Sequence, residues 1–177
     1  MPNKIFIATS IDGYIADREG KLDWLQIIPN PQQNDMGYEK FMQQVDALVM
    51  GRKTFETVCS FDIEWPYPKP VFVLSNTLKE ILADLKDKVS VVTGNIRKIV
   101  EDLNKKGFHS LYIDGGVTIQ NFLKEDLIDE ITITTIPVIL GGGTPLFSET
   151  KNLLRFKLIK AEVFLNEIVQ VNYKRLY

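Results

Sequence analysis

Ile113-Asp114-Gly115-Gly116 stands between a predicted strand, Ser110 to Ile113, and a predicted helix, Val117 to Lys124. A turn without side chains at a helix N-terminus lets backbone N–H groups approach an anion such as a phosphate. The same pair of glycines also suits a plain tight turn, and Asp114 beside it is either a site carboxylate or a turn residue. Moving outward, the strand–helix alternation recurs. Predicted strands cover Lys4–Ser10, Ala47–Met50, Val71–Leu74 and Val89–Thr93, and predicted helices cover Asp35–Gln44, Lys53–Cys59, Leu78–Leu85 and Ile96–Lys106. Ile96, Ile99, Val100 and Leu103 fall at helical spacing. Alternation of this kind predicts right-handed crossovers and a largely parallel sheet. Val71-Phe72-Val73-Leu74 is apolar throughout, as a strand covered on both faces requires.

After Glu125 the pattern changes. Glu130–Ile136, Phe156–Leu165 and Ile168–Leu176 are predicted strands with no helix between them. Val169, Val171 and Tyr173 alternate with Gln170, Asn172 and Lys174, the mark of a half-buried antiparallel hairpin. The expected architecture is an α/β, three-layer fold: a mixed, mostly parallel sheet with an antiparallel C-terminal hairpin, in one domain over residues 1–177. The connections Ala16–Asn34 and Phe61–Pro70 are long for a compact domain, and long loops often carry function.

Composition narrows the function. The 177 residues are 45% hydrophobic and 25% charged, with net charge −2, so no basic field points to nucleic acid. The apolar runs are too short to span a membrane. Met1 to Ile7 leads straight into a strand with no leader pattern, and the single cysteine, Cys59, suits a reducing compartment, so a cytoplasmic protein is expected. One histidine, His109, leaves little for a multi-histidine metal site or a Ser-His-Asp triad, and no metal is expected.

Other segments carry chemistry. Met50-Gly51-Arg52-Lys53-Thr54 follows a strand and opens a helix. Two cations at a helix N-terminus oppose its dipole and ask for an anionic ligand, unless they are simply solvated. The spacing is not that of a P-loop, and the ordinary Gly-x-Gly-x-x-Gly dinucleotide fingerprint is absent. Ser75-Asn76-Thr77 lies at a strand's C-terminal end, where open α/β sheets bind ligands; N-capping is the expectation for Thr77 more than for Ser75. Asp35 opens a predicted helix and is either a cap or a carboxyl group able to help protonate a substrate nitrogen. The run Pro137 to Phe147 holds Gly141-Gly142-Gly143 but no helix follows it, so it suits a structural element near the site better than a phosphate loop.

Ile7-Ala8-Thr9-Ser10, Met50 to Glu56, Val73-Leu74-Ser75 and Ile113 to Gly116 together resemble dihydrofolate reductase in order and spacing. Pro137 to Phe147, with Ser10 to Ala16 and Trp24, is similar to the reductase domain of the bifunctional riboflavin-biosynthesis deaminase/reductase. The resemblance implies an NADPH-dependent reductase that delivers hydride to a C=N or C=O bond of a planar heterocycle. It places Ala8 and Ile15 beside the nicotinamide. Gly51, Arg52, Lys53 and Thr54 would hold phosphates, with Arg52 at the adenosine 2′-phosphate. Ser75 and Asn76 would lie by the adenosine ribose, and Gly115, Gly116, Val117, Thr118 and Ile119 would wrap the pyrophosphate. Asp35 falls at the position of the dihydrofolate reductase carboxylate, with Thr134 as its partner; Asp114 and Trp24 fall on the substrate side. The loop from Trp24 to Asp35 is longer than a dihydrofolate reductase needs, and the arginines that hold a ribosyl phosphate in the riboflavin enzymes have no counterpart in Lys53 to Thr57. A pterin-like or dihydrofolate-like substrate is favoured; a ribosylamino-pyrimidine phosphate of the riboflavin pathway, and non-catalytic nucleotide binding on the same scaffold, are the alternatives. The resemblance also implies a homodimer.

Overall fold

Val, Ile and Leu runs set between amphipathic helices need a sheet covered on both faces, and the computed structural model, which describes residues 2–177, has one. In chain order the elements are β1 (Asn3–Ser10), β2 (Tyr14–Ala16), α1 (Tyr38–Met42), β3 (Ala47–Gly51), α2 (Arg52–Cys59), β4 (Val71–Leu74), β5 (Val89–Val92), α3 (Ile96–Lys105), β6 (Leu111–Asp114), α4 (Gly116–Lys124), β7 (Glu130–Ile136), β8 (Thr144–Pro145), β9 (Arg155–Phe164) and β10 (Ile168–Leu176). Eight strands form one sheet in the order β5-β4-β3-β6-β1-β7-β10-β9, and β2 pairs with β8 in a separate ribbon. Pairing is parallel from β5 to β7, and antiparallel where β10 meets β7 and β9. The fold expected from the sequence is therefore present.

Side-chain alternation assigns the two faces. Ala47, Val49, Phe72, Leu111 and Ile113 point to one side, where Ile99, Val100 and Leu103 of α3 and Ile119, Phe122 and Leu123 of α4 bury them. Leu48, Met50, Val71, Val73 and Tyr112 point to the other, against Phe41 and Met42 of α1 and Phe55 of α2. Burial of a side chain such as Phe122, fully enclosed, is worth about 1.5–3 kcal/mol by the area removed from water.

Two predicted helices are cut short. In place of Asp35–Gln44 only Tyr38–Met42 is helical, because Met36 (φ 53°) and Gly37 (φ 86°) adopt left-handed conformations that no helix continues through. In place of Leu78–Leu85 there is only a 3₁₀ turn at Ala83–Leu85. Leu78, Ile81 and Leu85 each reach the α1–α2 side of the core, and a non-helical path delivers all three, so packing overrides propensity. His109 is exposed and contributes its backbone N–H to Asp46, which ties the start of β6 to the start of β3.

The sheet opens at one seam. β6 stays paired with β3 as far as Met50 and Asp114, and β1 stays paired with β7 as far as Ser10 and Ile136. Between β1 and β6, however, pairing is confined to Asn3–Leu111 and Lys4–Tyr112. The Phe6 carbonyl, left without a strand partner on that side, accepts the Tyr112 hydroxyl at 2.9 Å. Beyond it the strands part and a crevice opens at their C-terminal ends. The crossover after β3 runs one way along the sheet and the crossover after β6 runs the other, which is where open α/β sheets bind ligands.

Candidate active site

The glycine turns meet beside this crevice. α2 starts directly after Gly51 and α4 directly after Gly115, and neither helix has a side chain capping its first N–H groups. Away from the crevice, α3 is capped in the ordinary way: the Asn95 side chain accepts from the N–H groups of Arg97 and Lys98. The two uncapped helices are locked to each other. A Cβ on Gly51 would lie 2.9 Å from Thr118 Oγ1 of α4, and a Cβ on Gly115 would overlap the Thr54 hydroxyl of α2. A Cβ on Gly116 would lie 2.9 Å from Ile15 Cδ1 and 3.0 Å from Thr144 Cγ2. Gly115 has φ 89°, a conformation that favours glycine. The result is two helix N-termini with open backbone donors at adjacent strand ends, a donor set that fits a dinucleotide's phosphates.

Most of the expected cofactor positions converge there: Gly51, Lys53, Thr54, Gly115, Gly116, Val117 and Thr118 around the turns, and Ile15 on the wall facing Gly116. Ile119 does not belong with them. Its side chain is fully buried in the core and its N–H is given to the Gly115 carbonyl, so neither end is free for a ligand. Arg52 projects over the next turn, with Nε on Glu56 at 2.6 Å and Nη1 on Thr77 Oγ1 at 2.8 Å. No helix follows for Thr77 to cap: the Ser75 hydroxyl accepts from the N–H groups of Thr77 and Leu78 and closes a local turn, while the Thr77 hydroxyl accepts from Arg52. Asn76 is exposed at the tip of this turn.

The substrate side differs from the expectation. Asp35 is exposed, and its carboxylate accepts from the N–H groups of Gly37 at 2.9 Å and Glu39 at 2.8 Å. Hydrogen bonds from Glu39 and then Gly37 hold it below the usual carboxylate range, so it is ionised and occupied at neutral pH. Thr134 is buried and has another partner: Gln170 Nε2 donates to Thr134 Oγ1 at 2.9 Å and to the Met36 carbonyl at 2.9 Å. The carboxylate–threonine pair implied by the resemblance to dihydrofolate reductase is thus not assembled, because Gln170 on the neighbouring strand takes the threonine. We expect Asp35→Ala to cost about 1 kcal/mol in a denaturant titration through the lost cap, with turnover unchanged.

Asp114 is the carboxylate that faces the crevice. It ends β6, is half-buried, and accepts from the Gly115 N–H at 2.8 Å. The Tyr67 hydroxyl, from the loop between α2 and β4, stands near enough to favour its ionised form. Burial pushes Asp114 up to about 6, against the weaker lowering effect of Gly115 and Tyr67. Around it stand Tyr38, raised to about 12 by burial and by Asp114, and Tyr67 and Tyr112, both raised for the same reasons and so neutral donors at any ordinary pH. Aromatic contacts fix the cluster: Phe6 to Tyr38 at 5.6 Å, Tyr38 to Tyr112 at 6.5 Å, and Trp65 to Tyr67 at 5.2 Å. The length of the Phe61–Pro70 connection marks this loop in the sequence; that it comes to Asp114 does not show there.

Trp24 is buried beside Ala8, Met36 and Ile136, so it sits at the end of β1 next to the crevice. Its indole N–H is buried with no partner, a cost that a ligand oxygen or a bridging water would relieve. On the α1 face a groove of about 390 Å³ runs toward β9, lined by Met36, Lys40, Thr132, Gln170 and Asn172 among others. Its charges are largely paired, Lys4 with Glu130 at 3.0 Å and Lys160 with Glu162 at 2.7 Å.

Comparison with known proteins matches this arrangement to a family. The family model of the RibD C-terminal domain matches residues 4–170. The chain belongs to the RibD C-terminal domain family. A crystal structure of a protein from Shewanella sp. PV-4, provisionally described as a riboflavin biosynthesis protein, is 58% identical over the whole of both chains, with a TM-score of 0.97. The uncharacterized protein YwjB of Bacillus subtilis is 34% identical over 97% of this chain and 96% of its own. Dihydrofolate reductase from Enterococcus faecalis, solved with NADP(H), shares the fold at 19% identity and a TM-score of 0.68, over 98% of this chain and 96% of that one. This RibD-type domain is accordingly built on the dihydrofolate reductase fold. No helix among the described residues is long and apolar enough to cross a membrane.

Proposed function

We propose that this RibD-type domain is an NADPH-dependent reductase acting on a C=N or C=O bond of a planar nitrogen heterocycle. The observation that carries the reading is the pair of uncapped helix N-termini, α2 and α4, locked together beside the crevice that ends at Asp114. When bound there, NADPH supplies the hydride. The open N–H groups of Gly116, Val117 and Thr118 would hold the pyrophosphate, and Lys53 and the Arg52–Thr77 pair would meet the adenosine end. Ala8, Ile15 and the Trp24 region would wall the nicotinamide side, where apolar contact excludes water.

The proton comes from Asp114 in this reading. A carboxyl group held near 6 keeps a substantial protonated fraction close to neutrality, whereas the depressed, exposed Asp35 does not. Once its proton has gone to the substrate nitrogen or oxygen, the Gly115 N–H and the Tyr67 hydroxyl stabilise the carboxylate left behind. The unassembled Asp35–Thr134 pair and the family membership favour an amino-pyrimidine of the riboflavin-pathway type over a pterin. The outer strands expose Leu158 (52%), Ile159 (54%), Val163 (65%) and Val169 (44%), a surface consistent with a homodimer.

Titration with NADPH, followed by cofactor fluorescence, tests the reading; no binding at high micromolar concentration sinks it. Arg52→Ala should weaken NADPH by roughly tenfold and leave NADH within about twofold, since a charge-assisted bond to the 2′-phosphate is lost. Equal losses for the two cofactors would remove Arg52 from that role.

A further inference from the structure

The glycine-rich run Pro137 to Phe147 holds no phosphate in the reading above, yet the chain ties it down with unusual care. Asp12, in the turn between β1 and β2, does most of this. Its Oδ1 accepts from the Leu140 N–H at 3.1 Å and its Oδ2 accepts from the Gly141 N–H at 2.8 Å. Ser10 Oγ donates to Oδ1 at 2.6 Å and itself accepts from the Tyr14 N–H at 3.0 Å. The carboxylate is therefore aimed across the gap by its own turn, and hydrogen bonds from Ser10, Leu140 and Gly141 hold it in the ionised form. Backbone bonds continue the seam on both sides: Ile11 N–H to the Val138 carbonyl at 2.8 Å and Leu146 N–H to the Gly13 carbonyl at 2.9 Å. Arg18 donates to the Gly141 carbonyl.

The glycines are explained by this clasp. A Cβ on Gly142 would lie 2.5 Å from Arg18 Nε, and a Cβ on Gly143 would overlap the Ala16 carbonyl. Their φ values, 153° and 136°, lie where side chains are strained. Gly142 and Gly143 thus let the loop pass flat against the β1–β2 segment, and only then can β8 pair with β2, Thr144 opposite Ala16 and Pro145 opposite Tyr14. This ribbon carries Ile15 and Thr144, the side chains that stand at 2.9 and 3.0 Å from a Cβ position on Gly116.

We propose that Asp12 is a positioning residue whose carboxylate clasps the Leu140–Gly141 backbone and so holds Ile15 and Thr144 as a preformed wall over the Gly116 turn. The proposal rests on the reading of that turn as the cofactor cradle. Exposed loops pay ordering entropy when a ligand binds, and a wall fixed in advance removes that cost from the binding step. Asp12 touches no reacting atom; it acts through Ile15 and Thr144.

The test uses Asp12→Asn, which keeps shape but replaces one acceptor oxygen by a donor, and Gly143→Ala, which opens the same clasp from its other side. Amide hydrogen exchange of Leu140 and Gly141 in the cofactor-free protein should speed up by at least about tenfold in Asp12→Asn, with amides of β3 and β4 unchanged. NADPH affinity should fall by roughly tenfold in both variants, while the fall for NADH is equal, because the wall is remote from the 2′-phosphate. Unchanged exchange at Leu140 and Gly141 would overturn the clasp; faster exchange with unchanged NADPH affinity would overturn its positioning role. If the unaltered protein binds no NADPH, the cofactor reading fails and takes the positioning role with it, whereas the exchange measurement still decides the clasp.

Discussion

Asp114→Asn is expected to lower turnover by about 10²–10⁴-fold, the usual contribution of a positioned general acid, with NADPH affinity within about threefold of the starting protein. The amide keeps the geometry: its oxygen still accepts from the Gly115 N–H and its NH₂ can donate to Tyr67. What it lacks is a proton to give. Turnover in the unaltered protein should fall as pH rises through about 6, where Asp114 ionises; Tyr38, Tyr67 and Tyr112 around it stay neutral over that range. The stability effect has its own sign. Asp114 binds its proton more tightly folded than unfolded, raised from 3.8 to about 6. Its contribution is therefore fully present below about 4 and lost as pH rises through about 6. At pH 8 the cost of keeping it ionised in the fold is of order 3 kcal/mol, one pK unit being about 1.4 kcal/mol. Asp114→Asn should thus be more stable than the parent at pH 8 in a urea titration and lose the pH dependence between 4 and 7. A variant with full turnover would return the proton-donor role to water or to Asp35.

Gly115→Ala is the second large effect. The residue adopts φ 89° and ψ 137°, a region costly for any side chain, and its Cβ would overlap the Thr54 hydroxyl. Backbone strain and the clash together should cost about 3 kcal/mol or more. The turn must shift to relieve the overlap, and a displacement near 1 Å at the helix N-terminus should weaken NADPH by roughly 100-fold. Gly107→Ala is the matched control. It too has a positive φ, 94°, but nothing lies within 4 Å of its Cβ position. It should cost about 1 kcal/mol and leave NADPH affinity unchanged. Equal NADPH affinities for the two variants, measured by the same fluorescence titration, would detach the β6–α4 turn from cofactor binding.

The strand–glycine–helix punctuation at Gly51 and Gly115, the apolar strands and the alternating C-terminal hairpin were legible because they are local: each depends on residues within about ten positions. They determined the sheet, its parallel body and the place of the glycine turns. The helices expected at Asp35–Gln44 and Leu78–Leu85 do not form in full because left-handed backbone at Met36 and Gly37, and packing of Leu78, Ile81 and Leu85, are set by contacts beyond the local window. The Thr77 hydroxyl meets Arg52 for the same reason, the two being 25 residues apart.

What tertiary structure alone decided is which carboxylate is buried and which is exposed, and what the second glycine run packs against. Asp35 and Asp114 look alike in the sequence, each at the edge of a helix. Only folding gives one to solvent and backbone donors, which lower its pKa, and the other to a buried tyrosine cluster, which raises it. Gly141-Gly142-Gly143 has the composition of a ligand loop, and only the arrival of Asp12, some 129 residues away, turns it into a clasp. Sequence fixes local conformation through dihedral preference and periodicity; proton affinity and long-range pairing depend on what surrounds a group in space, and in this chain that surrounding is assembled from distant segments.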